Sequence, residues 1–298
     1  MQEDSQAKNY WENNPRAGTA SQWVKNPVIA KAIFKKMSGG QTTRYWLNWL
    51  VEDFFADRKF ERMLSIGCGI GNHEILMARL GLVNQIDAFD FSEASLKIAR
   101  EEAETAGVRI NFYQDNFNEF DLEEDQKYDL IFCSGSLHHV KEMERLLSIV
   151  QRNLTPEGYF IVNEYVGDCY NIYSQRQVQL INRLYECFPD SLRSGAAKKF
   201  RNPTIQQVFT ADPSESIRSK LILPLLGEFF DFEVYRPYGG GILHPLYPLL
   251  NHDELAAKEP KSETIIRLLL EFEAILMSLP GGMETDFCLC ILRQKKQA

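Results

Sequence analysis

The chain has 298 residues, of which 44% are hydrophobic and 25% are charged, and its formal net charge is −8. This composition is typical of a globular protein that is long enough to bury a large core. The acidic balance argues against nucleic acid as the main partner, because a phosphate backbone is bound by a basic surface. The basic cluster Lys198, Lys199 and Arg201 is interpreted as a solvated loop. No run approaches the roughly 18 apolar residues of a membrane span.

The six cysteines do not suggest a disulfide framework in a chain of this length. Cys288 and Cys290 alternate in the pattern of a packed strand, and no CxxC pair indicates zinc, so we expect no metal site. The polar N-terminus, MQEDSQAKNYWENN, has no apolar core of the kind found in signal peptides. We therefore expect a protein of the reducing cytoplasm.

Residues 1–58 are predicted to form an N-terminal helical segment. Asn26 and Pro27 supply a cap and a first-turn proline for one helix, which a pair of glycines ends. Apolar residues at helical spacing predict a second helix over 46–57.

Residues 63–72, MLSIGCGIGN, indicate a buried strand, a glycine turn and the start of a helix. Glycines at alternate positions permit backbone angles closed to other residues and let a ligand lie against the main chain. The helix that follows, 72–82, directs its first N–H groups at whatever lies on the turn. This pattern predicts a cofactor-binding turn.

The next predicted strand, 83–91, carries Asp90 near its end, 19 positions after Gly71. An acidic residue about 20 positions after such a turn accepts from the ribose hydroxyls in nucleotide-binding α/β folds. The turn and the carboxylate together predict a nucleoside site.

Strands and helices then alternate, which predicts parallel strands with helices on both faces of the sheet. The predicted elements are a helix over 93–105 and strands over 108–113, 128–133 and 159–163.

The loop after strand 128–133 reads SGSLHH and holds two of the five histidines. Ligands of open α/β sheets gather outside the carboxyl ends of the strands. We expect His138 to face the pocket and His139 to begin the next helix, and both are candidate catalytic residues or packing residues. Glu164, at the end of strand 159–163, is either a catalytic or substrate-binding residue or one half of a structural ion pair.

Five segments in order resemble the motifs of class I S-adenosylmethionine-dependent methyltransferases: MLSIGCGIGNHE, IDAFDFSEASLKIA, INFYQDNFNEF, YDLIFCSGSLHHV and LTPEGYFIVNEY. The resemblance covers about residues 60–165. Dinucleotide enzymes usually carry GxGxxG, whereas this chain has GxGxG in a GCGxG context. The difference favours the methyl donor over a dinucleotide. One position departs from the family, because Ser65 stands where an Asp or Glu usually helps to hold the methionine amino group.

The resemblance implies a Rossmann-like α/β fold with a doubly wound sheet of seven strands, mostly parallel with an antiparallel last strand, and helical cap insertions. It implies S-adenosylmethionine as the cofactor. The residues it implies for cofactor binding are Gly67, Cys68, Gly69, Gly71, Asp90, Phe91, Asp115, Asn116, Ser134 and Gly135. Asp115 would accept from the adenine amino group, unless it only caps a turn. In many members an N-terminal helical segment covers the donor, so Tyr10 and Trp11 are either lid residues or packing residues.

Beyond residue 165 we predict one methyltransferase domain over 59–298 with insertions at 165–228 and 239–286. Predicted strands over 229–235 and 287–293 would close the sheet. Predicted helices lie over 174–188, from the cap-like sequence DPSE at 212–215, and over 263–279. The resemblance implies that the insertions build the acceptor pocket. The apolar helix 263–279 could equally form the seam of a homodimer.

The sequence therefore predicts a methyltransferase that acts on a small molecule, most simply on a hydroxyl of a natural product or sugar. A hydroxyl benefits from a nearby base, which His138, His139, Glu164 or His244 could supply. Two alternatives stay open: an NAD-dependent oxidoreductase on a Rossmann fold, and a non-catalytic methyltransferase-like assembly protein.

Overall fold

The computed structural model describes residues 2–16, 22–195, 198–256 and 259–295. Seven strands form one sheet in the order β3-β2-β1-β4-β5-β7-β6. The strands are β1 (Phe60–Ile66), β2 (Val83–Asp90), β3 (Asn111–Gln114), β4 (Tyr128–Ser134), β5 (Leu154–Tyr165), β6 (Phe230–Gly239) and β7 (Phe287–Gln294).

The first five strands pair in parallel, and β7 lies antiparallel between β5 and β6. This topology confirms the predicted seven-stranded sheet with an antiparallel last strand. The chain order reverses beside β1, with β2 on one side and β4 on the other. The carboxyl ends of these three strands therefore meet at the point where open α/β sheets bind ligands.

The helices lie on both sides of the sheet and in the two insertions. They are α1 (Gln2–Asn13), α2 (Pro27–Met37), α3 (Trp46–Trp49), α4 (Asn72–Arg79), α5 (Glu93–Ala106), α6 (Met143–Asn153), α7 (Gln175–Glu186), α8 (Ile205–Ala211), α9 (Ile222–Phe229), α10 (Leu243–Leu246), α11 (His252–Ala256) and α12 (Pro260–Ser278). Helix α3 continues into a wider π-helical turn, Leu50–Phe54.

Local caps explain where the helices around the site begin. The side chain of Asn26 accepts hydrogen bonds from Val28 N (3.0 Å) and Ile29 N (3.4 Å), which confirms the predicted start of α2. Ser92 Oγ accepts from Ser95 N at 3.1 Å and thereby caps α5 directly after β2. Such caps satisfy N–H groups that the helix itself leaves unpaired.

Successive residues of β1 belong to two different cores. Met63 packs in the cluster that includes Trp46 and Met77, whereas Leu64 packs in the cluster that includes Leu147. All five side chains are at most 3% exposed. Because both faces of the sheet are covered, its strands need near-continuous apolar runs, which is how they were recognised in the sequence.

The prediction of a helix opening at DPSE is wrong, because residues 213–218 form turns. Asp212 Oδ1 accepts from Ser214 N (2.9 Å) and from Ser214 Oγ (2.7 Å), so it closes a local turn. Ser216 then adopts a φ of +51°, which a right-handed helix cannot accommodate.

The predicted helix over 263–279 is present as α12. It leaves Leu268 65% and Ile275 49% exposed, and the homodimer stays a prediction. Within the described ranges, none of the helices combines the length and apolarity that crossing a bilayer would need.

Candidate active site

The glycine turn after β1 forms an open cradle. Gly67, Gly69 and Gly71 all have φ between +55° and +75°, the region that glycine tolerates best. A Cβ on Gly67 would lie 2.4 Å from Ser136 Cβ, whereas a Cβ on Gly69 would meet nothing within 4 Å. The turn is therefore packed tightly on one side and open at Gly69.

A cavity of about 240 Å³ lies over this turn, at the carboxyl ends of β1, β2 and β4. The predicted site residues that line it are Gly67, Cys68, Gly69, Asp90, Phe91, Asn116, Ser134, Gly135 and His139. The predicted residues outside its lining are Gly71, Asp115, His138 and Glu164. Motifs that are separate in sequence thus meet around one space.

Asp90 joins the turn to the second strand. Its Oδ2 accepts from Gly69 N at 2.8 Å, and its Oδ1 accepts from Ser92 N at 2.9 Å. Burial raises the pKa of the Asp90 carboxyl, and these backbone N–H groups offset part of the rise. Each carboxylate oxygen can accept more than one hydrogen bond, so the carboxylate can still accept hydrogen bonds from ribose hydroxyls.

The side chain of Asp115 is hydrogen-bonded to the backbone of the next residue. Its Oδ1 accepts from Asn116 N at 2.7 Å, and the next residues, Asn116 and Phe117, line the cavity instead. This is the turn-capping arrangement that the sequence left open for Asp115. Its contact with an adenine amino group stays a prediction.

A buried carboxylate lies next to Ser65. Ser65 Oγ donates to Glu74 Oε1 at 2.6 Å, and Glu74, in the first turn of α4, is 1% exposed. Its other oxygen, Oε2, is buried without a hydrogen-bond partner. Burial raises the pKa of Glu74 to about 7. An acid thus lies beside position 65, although the strand itself does not supply it.

The histidine that faces the cavity is not the one that the sequence predicted. His139 lines the cavity, whereas His138 lies behind it, with Nδ1 hydrogen-bonded to Glu164 Oε1. The expectation that His138 faces the cavity is therefore wrong. The short 3₁₀ turn Leu137–His139 turns the His139 side chain to the cavity before α6 begins at Met143.

Glu164 is fully enclosed and fixed by backbone donors. Its Oε2 accepts from Ser136 N (3.0 Å) and Leu137 N (2.7 Å), and its Oε1 also accepts from Tyr165 N (2.7 Å). A carboxylate satisfied in this way holds the histidine loop in one conformation. Glu164 therefore orients His138, and it does not line the cavity.

The charges around the two histidines shift the pKa values of the two rings in opposite directions. Burial lowers the pKa of His138, but the carboxylates of Glu164, Glu215 and Asp212 outweigh it and raise that pKa to about 9. Burial lowers the pKa of His139, and the neighbouring His138 lowers it further. His138 is accordingly the charged ring at neutral pH, and His139 is the neutral one.

The sequence missed the turn 212–216 as part of the site. Ser214 lines the cavity and its Oγ lies 3.0 Å from His139 Nδ1, while Asp212 Oδ2 lies 3.7 Å from the same nitrogen. Glu215 Oε1 lies 3.9 Å from His138 Nε2. These residues follow the histidines by about 75 positions, and the cap-like DPSE pattern had indicated only a helix start.

Helix α1 closes one side of the cavity. Ala7, Trp11 and Pro15 line it, and Trp11 stacks edge-on against His139 with ring centroids 5.4 Å apart. Trp11 Nε1 donates to Asp212 Oδ2 at 3.0 Å, and Glu12 caps the start of α5. Tyr10 packs against Trp11 and is not part of the lining. A lid function for 1–58 stays a prediction.

Other lining residues were not among the predicted site residues, although some lie within the predicted motifs. They are Tyr45, Ile70, Asn72, His73, Ser95, Phe117, Asn118 and Ser136. Burial lowers the pKa of His73 to about 4, and its ring packs between Trp46 and Phe132. His73 is therefore a neutral packing residue. His244, buried and hydrogen-bonded to Tyr173, does not line this cavity.

The fold and the cradle define a nucleoside-binding α/β protein, because the turn leaves open space over Gly69 and Asp90 is fixed beside it. Residues 57–209, just over half of the chain, match the family described as methyltransferase domain, and the chain belongs to that family. It is a class I S-adenosylmethionine-dependent methyltransferase, as its motifs predicted, and S-adenosylmethionine is the cofactor.

Individual relatives are more distant. A ubiquinone biosynthesis O-methyltransferase of Pasteurella multocida is 30% identical over 107 residues, which are 33% of this chain and 43% of the relative. The protein of the same name from Proteus mirabilis is 28% identical over 114 residues, 38% of this chain and 45% of the relative. The match thus spans less than half the length of these curated relatives.

Among solved structures, an S-adenosylmethionine-dependent methyltransferase from Mesorhizobium loti is 17% identical. The alignment covers 83% of this chain and 98% of that one, with a TM-score of 0.48.

Proposed function

We propose that this protein transfers the methyl group of S-adenosylmethionine to a hydroxyl group of a small molecule. The observation that carries the proposal is that one cavity joins the Gly67–Gly69 turn and Asp90 to the imidazole of His139. A donor site and a group that can activate a hydroxyl are thereby neighbours.

The donor would be held mainly by the main chain. Gly69 leaves open space over the turn, Asp90 would accept from the ribose, and Asn116 and Gly135 line the same cavity. The sulfonium is already a strong electrophile, so the protein has to align the acceptor and exclude water. Such alignment contributes several kcal/mol. Trp11 and Tyr45, which line the cavity, would help to exclude water.

Activation of the hydroxyl is assigned to His139, with His138 and Glu164 behind it. A neutral imidazole at the wall of the cavity can take a hydroxyl proton, which contributes on the order of 10²–10⁴-fold in rate. An amine acceptor would need less help from such a base. The pair of histidines is therefore what favours a hydroxyl over a nitrogen acceptor.

The two curated relatives are named as O-methyltransferases, which agrees with this proposal. They share only about a third of this chain, so a quinone-type acceptor is carried over only as one member of the test panel. Phenols and sugars are the other members, because both insertions contain aromatic side chains that could pack against such acceptors.

The test is methyl transfer from radiolabelled S-adenosylmethionine to a panel of phenols, hydroxyquinone analogues, sugars and amines. We expect label in a hydroxyl-bearing compound, and His139→Ala should lower kcat by about 10²-fold or more with little change in donor affinity. His252→Ala is the control, because His252 stacks on Tyr247 away from this cavity. Methylation of amines alone would overturn the hydroxyl assignment.

A further inference from the structure

Three side chains from two separate segments converge beside the donor cavity. One ligand atom from each of His138, His139 and Glu215 lies within 4.8 Å of the others. The side chain of His138 is 12% exposed and that of Glu215 is 35% exposed, so the cluster is enclosed but can be reached. Two imidazoles and one carboxylate at this spacing are a donor set for a divalent metal ion.

Each histidine is already held by a partner at Nδ1. Glu164 engages Nδ1 of His138, and Ser214 Oγ lies 3.0 Å from Nδ1 of His139. In metal sites the second ring nitrogen of a ligating histidine is usually bound in this way, which fixes the tautomer and the ring orientation. The Nε2 atoms are then the nitrogens left for a ligand.

The carboxylate of the cluster is also fixed in advance. Glu215 Oε1 accepts from Asn171 Nδ2 (3.0 Å) and from Ser216 Oγ (2.7 Å) and lies 3.9 Å from His138 Nε2. The other side-chain atom of this amide, Asn171 Oδ1, is buried without a hydrogen-bond partner. Asn171 and Ser216 both have positive φ angles, so the backbone is strained where it presents these groups.

Negative charge exceeds positive charge around the cluster, because the His138 ring faces three carboxylates. Glu164, Glu215 and Asp212 surround the two imidazoles, and in the ranges that the structure describes no Lys or Arg lies within ion-pair distance of these three carboxylates. Burying an uncompensated excess of carboxylates is costly. A bound ion with two positive charges would offset this excess, and it would replace the proton on Nε2 of His138.

We infer that His138, His139 and Glu215 form a binding site for a divalent transition-metal ion beside the methyl-donor cavity. Imidazole and carboxylate ligands suit Zn²⁺, Mn²⁺ or Fe²⁺ better than Mg²⁺ or Ca²⁺. The ion's use in catalysis rests on the proposed function: a hydroxyl bound to it would lose its proton more readily, and His139 would then act by holding the ion and not by taking the proton itself. Ion binding itself does not depend on that role.

The test is titration of the untagged, EDTA-treated full chain with Co²⁺, followed by visible absorption, and then displacement by Zn²⁺. We expect one ion per chain with a spectrum of nitrogen and oxygen ligands. Thiolate ligation by an exposed cysteine such as Cys187 would instead add an intense charge-transfer band. Pulsed EPR of the Cu²⁺-loaded wild-type protein should show two imidazole nitrogens and needs no variant.

Variants locate the site. Glu215→Gln keeps an oxygen that can accept from Asn171 and Ser216 but removes the charge, and we expect it to abolish binding at ion concentrations that saturate the wild type. Glu164→Gln should weaken binding about 10- to 100-fold through its effect on His138. His252→Ala is the control and should leave binding unchanged.

Absence of saturable Co²⁺ or Zn²⁺ binding would overturn the inference, as would full binding by Glu215→Gln or an EPR spectrum without imidazole ligands. Calorimetry with S-adenosylhomocysteine in EDTA separates this result from the proposed function. Retained nucleoside binding without an ion site would remove the metal site alone, whereas lost nucleoside binding would remove the methyltransferase proposal.

Discussion

The two walls of the cavity are built in different ways. The wall at the glycine turn and Asp90 comes from one continuous stretch of strands and turns. Main-chain N–H groups and glycines without a Cβ form most of this wall. The wall at the histidines joins the loop after β4 to the turn 212–216, about 75 positions later. At the positions of the glycine turn, few residues other than glycine can be accommodated. The histidine wall depends instead on side chains of the turn 212–216, which belongs to the insertion 165–228.

This difference predicts that substitutions in the two walls fail in different ways. Changes at the turn should lower stability and donor binding together, because the backbone itself forms the site. Changes at the histidine wall should affect turnover or ion binding and leave donor affinity nearly intact. The following variants test that contrast, beginning with the largest expected effect.

Gly67→Val should be the most damaging single change. A Cβ at Gly67 lies 2.4 Å from Ser136 Cβ, and the φ of +71° disfavours a branched side chain. We expect the free energy of unfolding to fall by about 4 kcal/mol, measured by urea denaturation, together with loss of donor binding. Gly107→Val has a similar φ of +68° but open space at the Cβ, so it should cost only about 1–2 kcal/mol. Equal losses in both variants would show that tight packing at Gly67 is unimportant.

Glu74→Gln should change how stability depends on pH. Burial raises the pKa of Glu74 to about 7 from 4.5, so the folded state favours the protonated carboxyl. The Glu74 carboxyl alone should therefore lower the stability of the wild type by about 3 kcal/mol as the pH rises from about 4.5 to above 7. The Glu74→Gln variant has no carboxyl at this position, so its stability should not fall for this reason as the pH rises.

Urea denaturation of wild type and Glu74→Gln at pH 4.5, 6 and 8 measures the difference between the two curves. Glu61→Gln removes an exposed carboxylate and serves as the control, with a curve parallel to that of the wild type. A parallel curve for Glu74→Gln as well would contradict a buried acid beside Ser65.

Asp90→Ala should weaken binding of S-adenosylhomocysteine by about 2 kcal/mol, since hydrogen bonds to a charged group contribute about 1.5–3 kcal/mol. Isothermal titration calorimetry measures this directly. Asp115→Ala should cost less, because that carboxylate accepts from Asn116 N and lies outside the cavity lining. A larger loss in Asp115→Ala would instead favour the adenine contact implied by the motif resemblance.

Trp11→Phe should have the smallest effect. It keeps a ring against His139 but removes the hydrogen bond from Nε1 to Asp212, which is worth about 1 kcal/mol and hence about fivefold in donor affinity if α1 covers the donor. Trp49→Phe removes a comparable bond to Gln41 outside the cavity and should leave donor affinity unchanged. The two affinities come from the same calorimetric titration, and equal values would argue against a covering role for α1.

The same contrast explains what the sequence could predict. Strand periodicity, the glycine turn and Asp90 follow from local chemistry, so the sheet and the residues of the donor wall were recognised from short stretches. The orientation of His138 and His139 depends on a 3₁₀ turn and on Glu164, which no spacing rule specifies. Glu74, Asp212 and Glu215 enter the site only through tertiary packing, and the DPSE pattern was misread because a capping signal is local.

The most direct measurement is calorimetric titration of the folded protein with S-adenosylhomocysteine, with NADH titrated in parallel. If the cradle and Asp90 hold the two ends of one nucleoside, S-adenosylhomocysteine should bind one to one, NADH should not bind, and Asp90→Ala should weaken the interaction. Binding of NADH alone, or no binding of S-adenosylhomocysteine to a protein whose fold is verified by circular dichroism, would contradict the donor site and the methyl transfer proposed from it.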